Sequence, residues 1–296
     1  MVRVVHQRLN TRVFADVATL ADNVRRVTEH LAGPLRLYLA GDGGPVAVDG
    51  DGAVWRTLTY LDGTASSPRF DSPAEARAAA SAAARLVADL ADLPGPPLPE
   101  VIAGFHDVRR RLADLDRAAS LDPAGRVVAC RPEIDAVRAV AGVADTVAVA
   151  RADGRLPGRT VHNDAKADNV LFDAASGAAV ALVDLDTVGP GTVLFDVGDL
   201  VRSGASTGPD DAGPDAVGVR HDVVDAVLTT YAEAGNEFLT AAEVALLPLA
   251  GPLMTLEAAA RFLTDHLEGD TYYPVDRPGH NLLRARTQLR LLHLLS

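Results

Sequence analysis

Three oxygen-bearing side chains, Asp164, Asn169 and Asp184, fall within one short stretch of this 296-residue chain. Lys166, its sole lysine, sits between the first two. Asp164 and Asn169 belong to VHNDAKADNVLFD at 161–173, and Asp184 follows fifteen residues after Asn169. A carboxylate can accept a hydroxyl proton, and a second carboxylate with an amide oxygen can hold a hard cation such as Mg²⁺. Phosphoryl transfer asks for that set: a placed hydroxyl, a metal, and positive charge against the phosphates. A polar turn with accidental spacing is the alternative.

The chemistry requires elements that bring these residues together. Thr160–His162 and Val170–Phe172 are short apolar segments, DAASGA at 173–178 makes a turn, and Ala179–Val183 returns as a strand. Antiparallel pairing of this hairpin sets Asn169 and Asp184 at one end, with Asp164 on the entering loop. Upstream, residues 2–9 alternate as a strand. Asp16 can cap a helix whose apolar positions are Val17, Leu20, Val24, Val27 and Leu31. Stretches 35–39 and 44–60 read as further strands, turning at GDGG (41–44) and DGDG (49–52). Those glycines match neither GxGxxG nor GxxxxGK, so they are read as turns rather than a phosphate cradle. Trp55 and Tyr60 are expected to pack in the sheet or beside a cleft.

From 72 to 150 the chain has helical periodicity, broken by PGPPLP at 94–99, and further helices are expected at 193–203, 216–234, 241–267 and 280–295. The sum is an α+β chain with a small β-rich front, 1–62, and a large, mostly helical back, 63–296.

The net charge of −12, without a basic tail, argues against a nucleic-acid partner. Arg109–Arg111 reads as a solvated helix face among Asp107, Asp114 and Asp116. No window approaches 18 uninterrupted apolar residues and no signal peptide is legible, so no membrane span is expected. Cys130 is the only cysteine and can form no intrachain disulfide, which fits a reduced cytoplasm.

The spacing H-x-D-x-x-x-x-N, followed by an Asp after a strand, is the arrangement of kinase catalytic loops. In it Asp164 is the base, Asn169 and Asp184 hold metal, and Lys166 lies near the transferring phosphate. Together with ALVDLDTVGPGTVLFDVGDLVRSG (181–204) and LLPLAGPLMTLEAAARFLTDHLEGDTYY (246–273), the loop resembles the aminoglycoside phosphotransferase and choline kinase superfamily. Within that superfamily it is most similar to the N-acetylhexosamine 1-kinase-like group, which QRLNTRVFADVATLADNVRRVTEHL (7–31) and NLLRARTQLRLL (281–292) also resemble.

The resemblance implies a two-lobed protein-kinase-like fold, ATP, Mg²⁺ and transfer of the γ-phosphate to a sugar hydroxyl, with hexosamine or hexose 1-phosphorylation expected. An aminoglycoside or amino-alcohol acceptor is a second reading, and a non-catalytic, pseudokinase-like binding protein a third. By the same resemblance Asp196 braces the catalytic loop, with helix capping as its alternative. Arg261 and Tyr272 lie near the sugar pocket, although Arg261 can equally pair with Glu257 one turn earlier. His162 is expected to hydrogen-bond the loop rather than bind metal. The hinge at 59–63, with Tyr60, Leu61 and Asp62, is expected to receive adenine through backbone groups.

The chain departs from the pattern at its front. The Gly-rich loop and the phosphate-binding lysine of the following strand are missing. Gln7 falls roughly where that lysine would stand, and Arg8 is the other candidate, but alternation lets only one of them face the cleft. A start recorded inside a longer gene is the favoured expectation, with a naturally short front lobe as the alternative.

Overall fold

The computed structural model describes residues 3–296. The expected first strand appears as β1, Val4–Arg8; Val2 lies outside the described residues. Helix α1, Val17–Leu31, starts where Asp16 accepts a hydrogen bond from the Thr19 amide at 3.0 Å, and it buries Leu20, Val24 and Val27. Three strands follow: β2 (Leu37–Tyr38), β3 (Ala47–Val48) and β4 (Val54–Thr59). β4 is the spine of this front sheet. β1 pairs along one edge, with Gln7 opposite Arg56, while β2 and β3 lie end to end along the other. GDGG is therefore an excursion between two collinear strands, whereas DGDG closes the β3–β4 hairpin with Gly52 at φ 78°.

β5 (Thr64–Ala65) crosses into a second sheet with β7 (Val170–Asp173) and β8 (Ala179–Leu182). The β7–β8 pair is the expected hairpin, with Val170 opposite Leu182 and the Val183 amide bonded to the Asn169 carbonyl at 2.9 Å. β6 (Arg159–Val161) pairs with β9 (Gly189–Gly191) beneath it.

The back is helical: α2 (Pro73–Asp89), α3 (Val108–Leu121), α4 (Arg131–Ala139), α5 (Gly142–Ala152), α6 (Val193–Gly204) and α7 (His221–Ala234). They are followed by α8 (Ala241–Leu246), α9 (Ala250–Leu267) and α10 (His280–Leu295). The helix expected over 241–267 breaks at Pro248, which cannot donate into a continuing ladder. Ala241–Leu267 is, among the described residues, the one stretch long and apolar enough to cross a membrane. Here its α9 part is the core helix, with Leu253, Leu256, Leu263 and Leu267 buried, each stabilising by about 1.5–3 kcal/mol. It packs tightly on α6 because Gly198 offers no side chain; a Cβ there would overlap Met254 and the Ala250 carbonyl. That close crossing fixes α6 beneath the loop 162–169.

Candidate active site

The loop 162–169 connects β6 to β7 and is held chiefly by side chains from other elements. Asp196, in the first turn of α6, accepts the amides of His162 at 3.0 Å and Asn163 at 2.8 Å. It is fully buried, and burial pushes its carboxyl pKa up while those amides pull the other way. The cap of α6 is instead Thr192, so the capping alternative for Asp196 falls away. His162 donates from Nε2 to the Val183 carbonyl at 3.0 Å, tying the loop to the end of β8. Ser203 of α6 accepts the Ala167 amide at 2.8 Å.

Asn163 takes φ 62°, a conformation that asparagine tolerates better than most residues. Its carbonyl lies 2.7 Å from His106 Nε2, while His106 Nδ1 lies 2.8 Å from Glu257 on α9. Both imidazole nitrogens thus face acceptors, which suits the doubly protonated ring. Burial alone would lower the pKa of His106, but the Glu257 charge and hydrogen bond outweigh it and raise the ring above its usual value. Glu257, against the same burial, is held below its own.

At the loop's tip Asp164 Oδ2 meets Lys166 Nζ at 3.1 Å and Asn169 Nδ2 at 3.0 Å. Burial lowers the pKa of Lys166, yet Asp164 and Asp168 more than restore it, so the ammonium stays charged. Asn169 Nδ2 also donates to the Asp164 carbonyl at 2.8 Å, leaving its Oδ1 as the available oxygen. Asp184 stands at the end of β8 in the left-handed region, φ 64°, with its side chain 42% exposed.

Asn169 and Asp184 open into one cavity of about 420 Å³, between the front sheet and the hairpin. Val5, Gln7, Leu58, Tyr60 and Leu61 also line it. Asp164 and Lys166 open into a second, of about 260 Å³, with Phe105, Arg261, Phe262 and Tyr273 on its walls. Among the described residues no group of three or more His, Cys, Asp or Glu side chains is gathered to hold a metal. Two hard oxygens, Asn169 Oδ1 and the Asp184 carboxylate, suit Mg²⁺ when phosphates and water complete its shell.

The remaining sequence expectations separate. Gln7 faces the larger cavity, whereas Arg8 lies on the exposed face of β1, as alternation requires, and does not reach it. Asp62 points outward, its side chain paired with Arg3, so of Tyr60, Leu61 and Asp62 only the first two line the cavity, beside Thr59. Arg261 lies 3.7 Å from Glu257 and still reaches the smaller cavity, stacked near Phe105 and Tyr273 at 5.2 and 5.6 Å. Tyr272, 55% exposed, lies 5.9 Å from the Arg261 guanidinium and lines a neighbouring cavity that Arg261 and Tyr273 share, while Tyr273 also walls the smaller one.

Sequence reasoning passed over Arg56, Asp186, His106, Asp199 and Arg202. Arg56 had a signal, since alternation along VWRTLT places it on the same inward face as Leu58. Asp199 and Arg202 form a buried pair at 3.2 Å on the smaller cavity, and burial pushes Asp199 up to about 6.

A front sheet, a helical back and a hairpin presenting Asp164, Asn169 and Asp184 define a kinase-like phosphotransferase fold. Solved structures agree. An aminoglycoside phosphotransferase from Alicyclobacillus acidocaldarius aligns over 99% of this chain and 86% of its own, with 14% identity and a TM-score of 0.59. A choline/ethanolamine kinase family protein from Mesorhizobium loti aligns over 99% and 86%, with 17% identity and a TM-score of 0.54. The amicoumacin kinase hAmiN, in complex with AMP-PNP, Ca²⁺ and Ami, aligns over 97% and 80%, with 11% identity and a TM-score of 0.58. Residues 17–233 match the phosphotransferase enzyme family, APH, and the chain belongs to it.

Proposed function

We propose that the protein is a MgATP-dependent small-molecule kinase that phosphorylates a sugar hydroxyl, with a hexosamine or hexose as acceptor. One observation carries the reading: the Asp164–Asn169 hydrogen bond of 3.0 Å joins the two cavities. Nucleotide on one side and acceptor on the other would meet at Asp164. On this reading residues 1–62 and 63–296 are the two lobes. Adenine lies against Tyr60 and Leu61, and Asn169 and Asp184 hold Mg²⁺. The metal would offset charge on the phosphate oxygens.

Asp164 Oδ2 is engaged by Lys166 and Asn169, leaving Oδ1 for the acceptor hydroxyl. As the hydroxyl oxygen bonds to the γ-phosphorus, its proton passes to Asp164. The bond from phosphorus to the β–γ bridging oxygen breaks with its electron pair, and ADP leaves. Lys166 neutralises charge at the transferring group. Asp196, His162 and His106 keep the loop in place.

The acceptor cavity favours a neutral sugar. Asp164, Asp199, Asp210 and Glu257 are matched by Lys166, Arg202, His106 and Arg261, with Arg202 shared by Asp199 and Asp210, so little negative charge is left for a polycation. The rings of Phe105 and Tyr273 offer apolar faces to a pyranose. ATP turnover across hexosamines, hexoses, ethanolamine and kanamycin, with Asp164→Asn as control, tests this. A hexosamine or hexose should stimulate turnover, and Asp164→Asn should lower kcat by about 10²–10⁴ while ATP still binds. Stimulation by kanamycin or ethanolamine alone would replace the acceptor. An Asp164→Asn enzyme as fast as wild type would remove the base, and no stimulation by any acceptor would favour a binding protein.

A further inference from the structure

Arg56 is the least expected charge in the molecule. It sits mid-strand in β4 with its side chain 2% exposed, behind the larger cavity. Its guanidinium is paired with Asp186 and lies 4.0 Å from Asp184. Its Nε lies 2.9 Å from Gln7 Oε1, across the β1–β4 register. Guanidinium nitrogens only donate, so the oxygen of the Gln7 amide must be the atom that faces Arg56. The amide nitrogen, on the other side of the same carbon, is then the part of Gln7 turned to the cavity.

We propose that Gln7 and Arg56 act as a pair on the nucleotide phosphates, resting on the kinase reading above. Gln7 supplies N–H donors to a phosphate oxygen, and Arg56 orients that amide from behind. A strand lysine would bring an ammonium; here a neutral amide, held from the neighbouring strand, takes the donor's place. The sole lysine, Lys166, is engaged with Asp164 on the other cavity and cannot serve this position. Asp186 is the nearer partner of the buried guanidinium, with Asp184 at 4.0 Å. Gln7 contacts the phosphate, and Arg56 is a positioning residue.

Equilibrium binding of ATP, ADP and adenosine, with Mg²⁺, to wild type and variants tests the pair without any acceptor. Gln7→Glu keeps an oxygen for Arg56 but turns an acceptor toward the phosphates. It should weaken ADP and ATP on the order of ten- to a hundredfold and leave adenosine within about twofold. Arg56→Met, made together with Asp186→Asn so that no buried carboxylate is left alone, should weaken ADP and ATP without moving adenosine. Arg56→Lys should lie between this variant and wild type.

If wild type binds ATP and Gln7→Glu binds it equally well, the pair is wrong and the kinase reading stands. If adenosine weakens as much as ADP, the two residues only shape the sheet, and the proposal is again overturned. If wild type binds none of the three, the kinase reading falls and takes the proposal with it.

Discussion

The two walls of the larger cavity are built differently. Behind it, the loop 162–169 is held by Asp196, Ser203 and His106, which lie 34, 36 and 57 residues away from the groups they bind. In front, the polar contacts around the turns of the sheet are local. Asp42 accepts the Gly44 amide, and Asp49 accepts those of Asp51 and Ala53 and the Trp55 indole N–H. Local contacts form cheaply and break cheaply, whereas a loop tied by three side chains to distant parts of the chain moves only if those parts move. The back wall is thus built to hold atoms in place, and the front wall to form a cover. Gln7–Arg56–Asp186 is the exception, reaching from the sheet to the Asp184 loop.

The largest effect beyond loss of Asp164 is expected at Asp196. Replacing it with Ala orphans two buried amides, at a cost of about 1–3 kcal/mol each. Denaturant unfolding should register that loss, and kcat should fall with it because Asp164 loses its footing. If Asp196→Ala unfolds at the wild-type midpoint, the contrast between the walls has no energetic basis.

Next comes the His106–Glu257 pair, whose contribution depends on pH. His106 is raised in the folded state, so its stabilisation is complete below its usual 6.5 and is lost as pH rises through the folded value. Glu257 is lowered, so its share is present above its usual 4.5 and is lost as pH falls through the folded value. The pair therefore contributes fully between those two ordinary values. The gap in unfolding free energy between wild type and His106→Gln should be widest there and shrink on the alkaline side. A gap that stays flat from about pH 5 to 9 would mean the ring is neutral.

How much of this was legible follows the same division. The placement of Asn169 and Asp184 at one end of the hairpin was readable because a hairpin's register is a local consequence of alternation and turn residues. Gln7 against Arg8 needed only the direction of β1's pairing. That Tyr273 shares the Arg261 wall with Tyr272 was not readable. After α9, Asp265 gathers the amides of Thr271, Tyr272 and Tyr273 while Asp270 turns left-handed, and that tight wrap brings both rings against Arg261. His106 was invisible for a stronger reason: its partner Glu257 is 151 residues away, and nothing local marks either as a pair. The break at Pro248 was legible in principle, since proline was there to be read.

The smallest effect should fall at the tip of the front sheet. Asp49 accepts the Trp55 indole N–H at 2.7 Å, and that bond and the Ala53 amide hold its carboxyl below the usual range. The group is fully exposed, so water replaces each lost contact. Asp49→Ala should move the thermal midpoint little and leave ATP affinity unchanged. Trp55 is the only tryptophan, so its emission should report the lost bond directly. A shift in emission with unchanged turnover is what a cover that merely folds over the nucleotide would give. A drop in turnover comparable to that of Asp196→Ala would mean that the hairpin tip takes part in holding the phosphates. The division between a wall that positions atoms and a wall that covers them would then have to be abandoned.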